Sequence, residues 1–307
     1  MPETFSNPID AMTRFCAVYG HPIKHSASPA MQNAGLIALN LNWRYLAFDV
    51  HPDDLASAIA GAKAMKYIGL NLTVPHKLLA LRMVDVLDDS AKTWGAVNTI
   101  RFESKNHSGE WVPLIQIPAD EVSEIRSQGF NTDADAITRS LKEDLQVDLQ
   151  DASVLLLGAG GAGRVAALKL AAEGVANLFL VNRTAQKAEG IAREIRGKHP
   201  GINVSVGYPK TAVDVLLNAT SLGLKASDPS PLDQKQFELK NARAVYDMIY
   251  RPVRTPLLAA AKNAGCRTAN GIGMLLYQGA KALELWSGRP APVELMRRAL
   301  EKNVYAK

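Results

Sequence analysis

The sequence predicts an α/β protein with two domains, and three observations support this prediction. The chain has 307 residues, more than one hydrophobic core usually organises, so a division into domains is expected. Short apolar runs alternate with amphipathic stretches, which is typical of parallel strands joined by crossover helices. The same alternation begins again after a glycine-rich turn near the middle of the chain. We therefore predict a first α/β domain with a mostly parallel sheet, a second α/β domain and a helical tail.

The first third of the chain supplies the elements of the first domain. Apolar runs predict strands, and segments with helical periodicity between them predict helices. The predicted strands are residues 15–19, 43–48 and 67–72, and the predicted helices are residues 29–39, 52–65 and 77–86.

The alternation stops after Asn98, where residues 101–128 combine acids, glycine and prolines. This stretch is expected to be a long connection or a hairpin with a loop. Disordered segments are poor in apolar residues, yet this one contains an apolar cluster. We therefore expect it to pack on the first domain or on a partner subunit, with a lid over a ligand as the alternative. The cluster consists of Trp111, Val112, Leu114, Ile115 and Ile117.

The second series of elements begins with a helix at residues 132–144. Behind it come the strands and helices of the second domain, and the tail from Gly271 onward is expected to be helical and to fold back on the first domain. These assignments give a first domain of residues 1–134 and 271–307 and a second of residues 135–270. The further elements are strands at 154–157, 177–181, 213–218 and 244–248 and a helix at 164–172.

A glycine-rich turn joins the strand at 154–157 to the helix behind it, and it matches the pattern GxGxxG. Glycines at these positions let the backbone turn tightly and approach a pyrophosphate, which rests on the amino end of the helix. The pattern alone is weak, because any tight turn can use glycine, but here the strand, helix and next strand are all in place. The sequence therefore predicts a Rossmann-type, dinucleotide-binding second domain. Its glycines are Gly158, Gly160, Gly161 and Gly163.

The end of the next strand distinguishes between the two nicotinamide cofactors. Residues 182–184 read Asn-Arg-Thr, where an NAD-binding domain places an acid for the ribose hydroxyls. The guanidinium of Arg183 is suited to a phosphate, and Lys187 follows one turn later on the expected helix. The alternative is an arginine on a solvent-facing loop, but the missing acid favours NADP.

Composition excludes several other classes. The net charge of +5 comes from 35 basic and 30 acidic residues scattered along the chain, without the basic runs that nucleic-acid surfaces show. No apolar run is long enough for a membrane span. The two cysteines are too few for a disulfide framework or a thiolate metal site, and no histidine spacing indicates a metal. Residues 1–12 are expected to be a loose leader rather than a signal peptide, which favours the cytoplasm.

Four polar motifs follow or interrupt apolar strands in the first half of the chain. In open α/β folds ligands bind at the carboxyl ends of the strands, so we expect these motifs to meet there. Lys77 ends one of them; most lysines are solvated surface residues, and this one is also predicted to open the helix at 77–86. The motifs are HPIKHSASP (21–29), NLTVPHK (71–77), GAVNTI (95–100) and GFNTD (129–133).

Together with the glycine turn, the order of these motifs resembles the shikimate dehydrogenase family. The similarity extends from Val18 to Gly288, and it includes NRTAQKA, NATSLG, DMIYRPVRTPLL and NGIGMLLYQGAKALELWSG. The resemblance implies reversible, NADP-dependent reduction of 3-dehydroshikimate to shikimate, a step of aromatic amino acid biosynthesis. It also implies a substrate domain, a nucleotide domain and a returning tail, in a monomer or a homodimer.

The resemblance assigns roles residue by residue. Lys77 and Asp133 are the implied catalytic pair, in which the ammonium donates a proton to the developing alkoxide and the carboxylate orients it. The implied ligand contacts are Ser26 and Ser28 for the substrate carboxylate, Asn71, Thr73, Asn98 and Gln278 for its ring hydroxyls, Tyr250 for the substrate, and Gly158, Gly160, Gly161, Gly163, Asn182, Arg183, Thr184, Lys187, Met248 and Gly271 for the cofactor.

Three departures from the family pattern leave alternatives open. Ala134 and Ala136 stand where glycines are usual, Gln32 replaces a histidine, and residues 101–128 are longer than a short hairpin. They suggest a divergent branch that uses quinate or another polyhydroxylated cyclic acid. A sensor with this fold that binds a cyclic acid without turnover is a further alternative. Such a binder needs no proton relay, so the presence of both Lys77 and Asp133 favours an enzyme.

Overall fold

The computed structural model describes residues 9–118, 120–225 and 227–306, and the chain divides into two compact units. The first takes the chain up to Thr132 and resumes at Leu276, and the second is Asp133–Leu275. Residues 1–8 of the expected leader lie outside the described residues. The predicted α/β class with two units is confirmed.

The first unit is built on a mixed sheet. The strands are β1 (Arg14–Gly20), β2 (Trp43–Asp49), β3 (Gly69–Leu72), β4 (Val86–Leu87), β5 (Thr99–Lys105), β6 (Trp111–Pro113) and β7 (Ile125–Phe130). Their order is β2-β1-β3-β5-β7-β4, with β6 paired to β5. Strands β1, β2 and β3 are parallel, as predicted, and so are β4 and β7, while the pairs that β5 forms with β3, β6 and β7 are antiparallel.

The segment at 101–128 therefore lies inside the sheet as a hairpin. Of its apolar cluster, Leu114 is 0% and Ile117 is 6% exposed, and the Leu114 carbonyl accepts a hydrogen bond from Arg14 of β1 at 3.3 Å. The expectation that this segment packs on the first unit is confirmed. The apolar pattern of the sequence did not predict these strands, because some of their buried positions carry polar residues. Glu103, for example, is 1% exposed and forms ion pairs with Arg101 and Arg126.

The predicted helix at residues 77–86 was wrong. Lys77 lies in a turn, a single 3-10 turn follows at Leu79–Arg82, and the chain then joins β4. The Asp85 carboxylate accepts hydrogen bonds from the Ser127 amide at 2.7 Å and hydroxyl at 2.8 Å, which fixes the chain beside β7. Pairing with a distant strand thus overrides the local helical pattern.

The second unit has a six-stranded sheet in which every pair of neighbours is parallel. Its strands are β8 (Ser153–Leu157), β9 (Asn177–Val181), β10 (Asn203–Val206), β11 (Val213–Asn218), β12 (Ala242–Asp247) and β13 (Arg267–Asn270). The order β10-β9-β8-β11-β12-β13 reverses between β8 and β11. The carboxyl edge beside such a reversal is where open α/β sheets bind ligands.

Helices cover the sheets of both units and supply the tail. The tail is helical, as predicted, and α8 passes from the second unit into the first at Leu276. In the described part of the chain the α-helices are α1 (Ser28–Ala38), α2 (Leu55–Ala64), α3 (Asp89–Trp94), α4 (Asp133–Leu145), α5 (Gly161–Ala172), α6 (Ala185–Lys198), α7 (Pro256–Asn263), α8 (Ile272–Ser287) and α9 (Val293–Tyr305).

Candidate active site

The glycine turn of the second unit leaves β8 at the reversal of strand order. Gly158 has φ +106°, in the region that glycine alone adopts readily. A side chain at Gly163 would overlap the Gly158 carbonyl oxygen, whereas a Cβ at Gly160 or Gly161 would meet no atom within 4 Å. The turn is therefore tight on its inner side and open in front of the amino end of α5. These residues fit the pyrophosphate of a dinucleotide.

Asn182 connects this turn to the end of β9. Its side chain accepts a hydrogen bond from the Ala159 amide at 2.9 Å and donates one to the Thr184 carbonyl at 2.9 Å. Arg183 and Lys187 are exposed, and no acidic side chain in the described ranges pairs with either of them. Two cations without acidic partners beside the glycine turn fit the 2′-phosphate of NADP.

Three further predicted residues lie beyond β12 and β13, at the carboxyl edge of the same sheet. The Met248 amide donates to the Asn218 carbonyl at 3.0 Å, and the Gly271 amide donates to the Ile249 carbonyl at 3.2 Å. A side chain at Gly271 would overlap the Met248 carbonyl, so this glycine permits the close approach of two chain segments. Met248 and Tyr250 are both half-buried.

The first unit holds a cluster of buried amides and hydroxyls where β3 and β5 meet. Asn71 is 5% exposed. Its oxygen accepts from the Tyr45 hydroxyl at 2.8 Å, and its nitrogen donates to the Thr99 hydroxyl at 3.0 Å and to the Asn98 carbonyl at 3.2 Å. Burial raises the pKa of Tyr45 well above its ordinary value, so the phenol keeps its proton and remains a donor. These bonds fix the orientation of the Asn71 amide.

Asn98 continues the cluster toward the helical tail. It is 1% exposed, and its oxygen accepts from the Thr132 amide at 2.8 Å. Its nitrogen donates to the Thr132 hydroxyl at 2.9 Å and to the Gln278 oxygen of α8 at 3.4 Å. Three of the predicted substrate residues are thus joined in one network.

Three members of this network, Tyr45, Thr99 and Thr132, were not predicted as site residues. Thr99 lies in the GAVNTI motif, beside the predicted Asn98. Tyr45 lies in the predicted strand 43–48, where a tyrosine is also an ordinary core residue, so the sequence held no distinguishing signal. Thr132 lies in the GFNTD motif, and its position there is the signal that could have identified it.

The remaining predicted residues of the first unit lie in the turns after β1 and β3. Ser28 is 7% exposed and begins α1, and its amide donates to the Ser26 hydroxyl at 3.4 Å. Thr73 follows β3, with its amide bonded to the Tyr19 carbonyl at 3.0 Å. Since β1 and β3 are parallel neighbours, these turns leave the same edge of the sheet.

Lys77 is half-buried in the turn that follows Thr73. Its carbonyl accepts from the Val97 amide at 2.9 Å. The adjacent His76 is fully buried, its Nε2 lies 2.9 Å from the Val50 carbonyl, and burial lowers the pKa of the imidazole. The turn that carries Lys77 is therefore anchored on both sides. Asp133, which is 5% exposed, begins α4 in the second unit, and its pairing with Lys77 stays a prediction.

Neither a metal-binding cluster nor a membrane-spanning helix is present in the described part of the chain. No group of three or more histidine, cysteine or acidic side chains in residues 9–118, 120–225 and 227–306 is arranged to hold a metal ion. Over the same residues, none of the helices combines the length and the apolar character needed to cross a bilayer.

Family models match three parts of the chain. Residues 18–100 match the shikimate dehydrogenase substrate binding domain, residues 140–222 match shikimate / quinate 5-dehydrogenase, and residues 271–301 match the shikimate 5′-dehydrogenase C-terminal domain. The first match contains Lys77 and most of the buried amide cluster, and the second contains the glycine turn.

Individual relatives align over nearly the whole chain. A shikimate dehydrogenase (NADP(+)) of Methanopyrus kandleri is 38% identical over 303 residues, covering 96% of this chain and 98% of the relative. The crystal structure of shikimate dehydrogenase from Aquifex aeolicus is 35% identical, with a TM-score of 0.79 and coverage of 95% and 99%. That of shikimate 5-dehydrogenase from Thermus thermophilus, in complex with NADP(H) and shikimate, is 34% identical, with a TM-score of 0.77 and coverage of 94% and 99%.

Proposed function

The chain belongs to the shikimate dehydrogenase family, and from this premise we propose that it catalyses the reversible oxidation of shikimate to 3-dehydroshikimate with NADP. At the level of the family it is an NADP-dependent oxidoreductase that acts on a CH–OH group. The observation that carries the proposal is the buried network of Asn71, Asn98 and Gln278. A set of amides fixed at the edge of a sheet suits a small ligand with several hydroxyls.

The two units divide the ligands between them in this proposal. The proposed substrate domain comprises residues 1–134 and 271–307 and the proposed NADP domain residues 135–270, bounds that differ by two to five residues from those of the two units. The substrate residues are Ser26 and Ser28 for the carboxylate, Asn71, Thr73, Asn98 and Gln278 for the ring hydroxyls, and Tyr250 from the second unit. The cofactor residues are Gly158, Gly160, Gly161, Gly163, Asn182, Arg183, Thr184, Lys187, Met248 and Gly271.

Proton transfer is assigned to Lys77. NADPH, when bound, supplies the hydride that reduces the ketone. Reduction builds negative charge on the ketone oxygen, and the Lys77 ammonium stabilises that charge and then donates a proton to it. In the oxidation direction the neutral amine accepts the hydroxyl proton. Asp133 orients Lys77 and favours its charged form.

Quinate is the alternative substrate, because the family model that matches residues 140–222 covers both shikimate and quinate enzymes. The antiparallel hairpin of residues 101–128 also fits a divergent branch. A sensor that binds without turnover is a weaker alternative, because it would need the amides but no lysine at the end of the turn.

A spectrophotometric assay at 340 nm tests these alternatives. Shikimate and quinate are each offered with NADP and, separately, with NAD. Turnover that is fastest with shikimate and NADP supports the proposal, while faster turnover of quinate assigns the chain to the alternative. Binding of shikimate without turnover under either cofactor would favour the sensor.

Location and assembly are also proposals. Both cysteines are free, buried thiols, which is consistent with a reducing cytoplasm. A monomer or a homodimer is expected, and light scattering on the purified chain distinguishes these from a larger assembly.

A further inference from the structure

Asp247 is a buried acid at the end of β12 that has no role in the reaction as proposed. It is 0% exposed. Burial raises the pKa of its carboxyl group, while hydrogen bonds from Thr255, Ile249 and Asn218 act in the opposite direction. Burying an acid is unfavourable unless it is well hydrogen-bonded, so the partners of this carboxyl group indicate what it holds in place.

Those partners lie at the two ends of one loop. One carboxyl oxygen accepts from the Ile249 amide at 3.1 Å, just after β12 ends. The other accepts from the Thr255 hydroxyl at 2.7 Å, where the loop ends and α7 begins. The Thr255 hydroxyl also caps α7 by accepting from the Leu258 amide at 3.3 Å. A single carboxyl group therefore closes residues 248–255 into a fixed loop, which contains Met248 and Tyr250.

A third bond connects this loop to its neighbour in the sheet. The Asn218 side chain donates to Asp247 at 3.0 Å, and its oxygen accepts from the Thr220 amide at 3.0 Å and hydroxyl at 2.8 Å. Asn218 and Asp247 are register partners at the ends of β11 and β12. The turns after β11 and β12 are therefore both hydrogen-bonded, directly or through Asn218, to the buried Asp247 carboxyl group.

We propose that Asp247 is a positioning residue that clamps the 248–255 loop, so that Met248 and Tyr250 are presented to the nicotinamide half of the cofactor and to the substrate. This inference rests on the proposed function and adds a residue to it. Asp247 is fully buried, and it acts through its bonds to the loop and to Asn218. Through Asn218 the same contacts reach Ala219 and Thr220, which lie beside Gly158 of the glycine turn. Arg183 is farther away, because it follows β9, and β9 is two strands from β11 in the sheet.

The test compares Asp247→Ala, Asp247→Asn and a matched control in the full-length protein. The control is Asp214→Ala, because Asp214 also accepts a backbone hydrogen bond, from the Ser153 amide at 2.9 Å, but lies near the amino end of β11. We expect Asp247→Ala to lower kcat with shikimate and NADP by about 10²-fold, the scale of a misplaced reacting group. Asp247→Asn keeps an acceptor for Ile249 and Asn218 and should stay within about threefold.

Two further readouts separate positioning from a loss of folding. Adenosine 2′,5′-bisphosphate probes the half of the site that holds Arg183, which follows β9, two strands from β11. Its Kd should stay within about twofold in Asp247→Ala, because Arg183 shares no bond with Asp247 or its partners. Hydrogen exchange of the Ile249 amide should be accelerated at least about tenfold in Asp247→Ala, since its acceptor is gone, and unchanged in Asp214→Ala.

Three outcomes of these measurements would contradict the clamp or the proposed function. Unchanged Ile249 exchange, or unchanged turnover, in Asp247→Ala overturns the clamp. Parallel loss of bisphosphate binding and turnover, accompanied by the same losses in Asp247→Asn, assigns Asp247 to overall folding and also overturns it. A wild-type protein that does not oxidise shikimate refutes the proposed function instead, while exchange of Ile249 still tests whether the carboxyl group holds the loop.

Discussion

The buried amide cluster of the first unit and the glycine turn of the second unit both lie at strand ends. They differ in how far their polar side chains are buried and held by hydrogen bonds within the protein. In the cluster, Asn71 and Asn98 are at most 5% exposed and bonded to neighbouring side chains and backbone before any ligand arrives. At the turn, the groups proposed to meet the cofactor are backbone amides together with Arg183 and Lys187, and both of these side chains are exposed.

This difference predicts how each region responds to substitution. Groups held by several bonds lose little freedom when a ligand binds, whereas a flexible side chain must be ordered by the ligand itself. Changes in the first unit should therefore affect the chemical step or binding strongly. Arg183 and Lys187 of the second unit should contribute mainly to the preference for NADP over NAD. Each should do so through its own contact, so that one can be removed without the other.

The largest effect is expected for Lys77→Ala. It removes the proposed proton donor from an anchored turn, so kcat should fall at least about 10²-fold with a much smaller change in KM for shikimate. Steady-state kinetics over a range of shikimate concentrations measure both values. Lys92→Ala is the control, since Lys92 is an exposed lysine of the same unit that pairs with Asp89. If kcat were retained and KM raised, Lys77 would contribute to substrate binding rather than to proton transfer.

A smaller effect is expected for Arg183→Ala. A charge-assisted hydrogen bond of about 1.5–3 kcal/mol corresponds to at least a tenfold loss of NADP affinity. The affinity for NAD should not change, because NAD lacks the 2′-phosphate. Titration calorimetry with each cofactor checks this, with the exposed Arg193 of α6 changed to alanine for comparison. Equal losses for NADP and NAD would disprove the phosphate contact.

The dependence of stability on pH should differ in sign between the units. Burial holds the pKa of His76 below 6.5, so the unfolded chain binds more protons and stability is lost as pH falls through about 6.5. Burial holds the pKa of Asp247 above 3.8, so the folded chain binds more protons and stability is lost as pH rises from 3.8 through the raised pKa. Each group changes the free energy of unfolding by at most about 1.4 kcal/mol per pH unit.

Variants that do not titrate isolate these two contributions. His76→Gln should flatten the decline in melting temperature below pH 6.5, and Asp247→Asn should flatten the decline that begins as pH rises above 3.8. Thermal melts of the wild type and both variants across pH 4–8 provide the measurement. A pH profile that neither substitution alters would contradict both assignments.

The smallest effect on the reaction is expected in the hairpin of the first unit. Replacing residues 104–126 by a short glycine-containing turn removes the buried side chains of Leu114 and Ile117, so the melting temperature or the oligomeric mass should change. KM for shikimate should stay within about threefold, less than about 0.7 kcal/mol. A large rise in KM with unchanged stability and mass would instead favour a lid. Leu114→Ala is a milder variant that tests the packing alone.

The sequence by itself determined the parts of the molecule whose signals are local. The glycine turn could be recognised because a tight strand-to-helix turn limits the residues at Gly158 and Gly163. The parallel strands β1, β2 and β3 follow from apolar runs, and the resemblance to one family identified the amides Asn71 and Asn98. Each of these signals lies within a few consecutive residues, so no knowledge of distant contacts was needed.

Only the tertiary structure decided the features that depend on residues far apart in the chain. Strand β5 could not be recognised as buried, because Glu103 is stabilised there by Arg126, which belongs to another strand. The turn at Lys77 replaced a predicted helix because Asp85 is bonded to Ser127. The loop after β12 is closed by a carboxyl group whose partner Thr255 lies beyond it. In each case a polar side chain is satisfied by a non-local partner, which the local pattern of apolar and polar residues does not reveal.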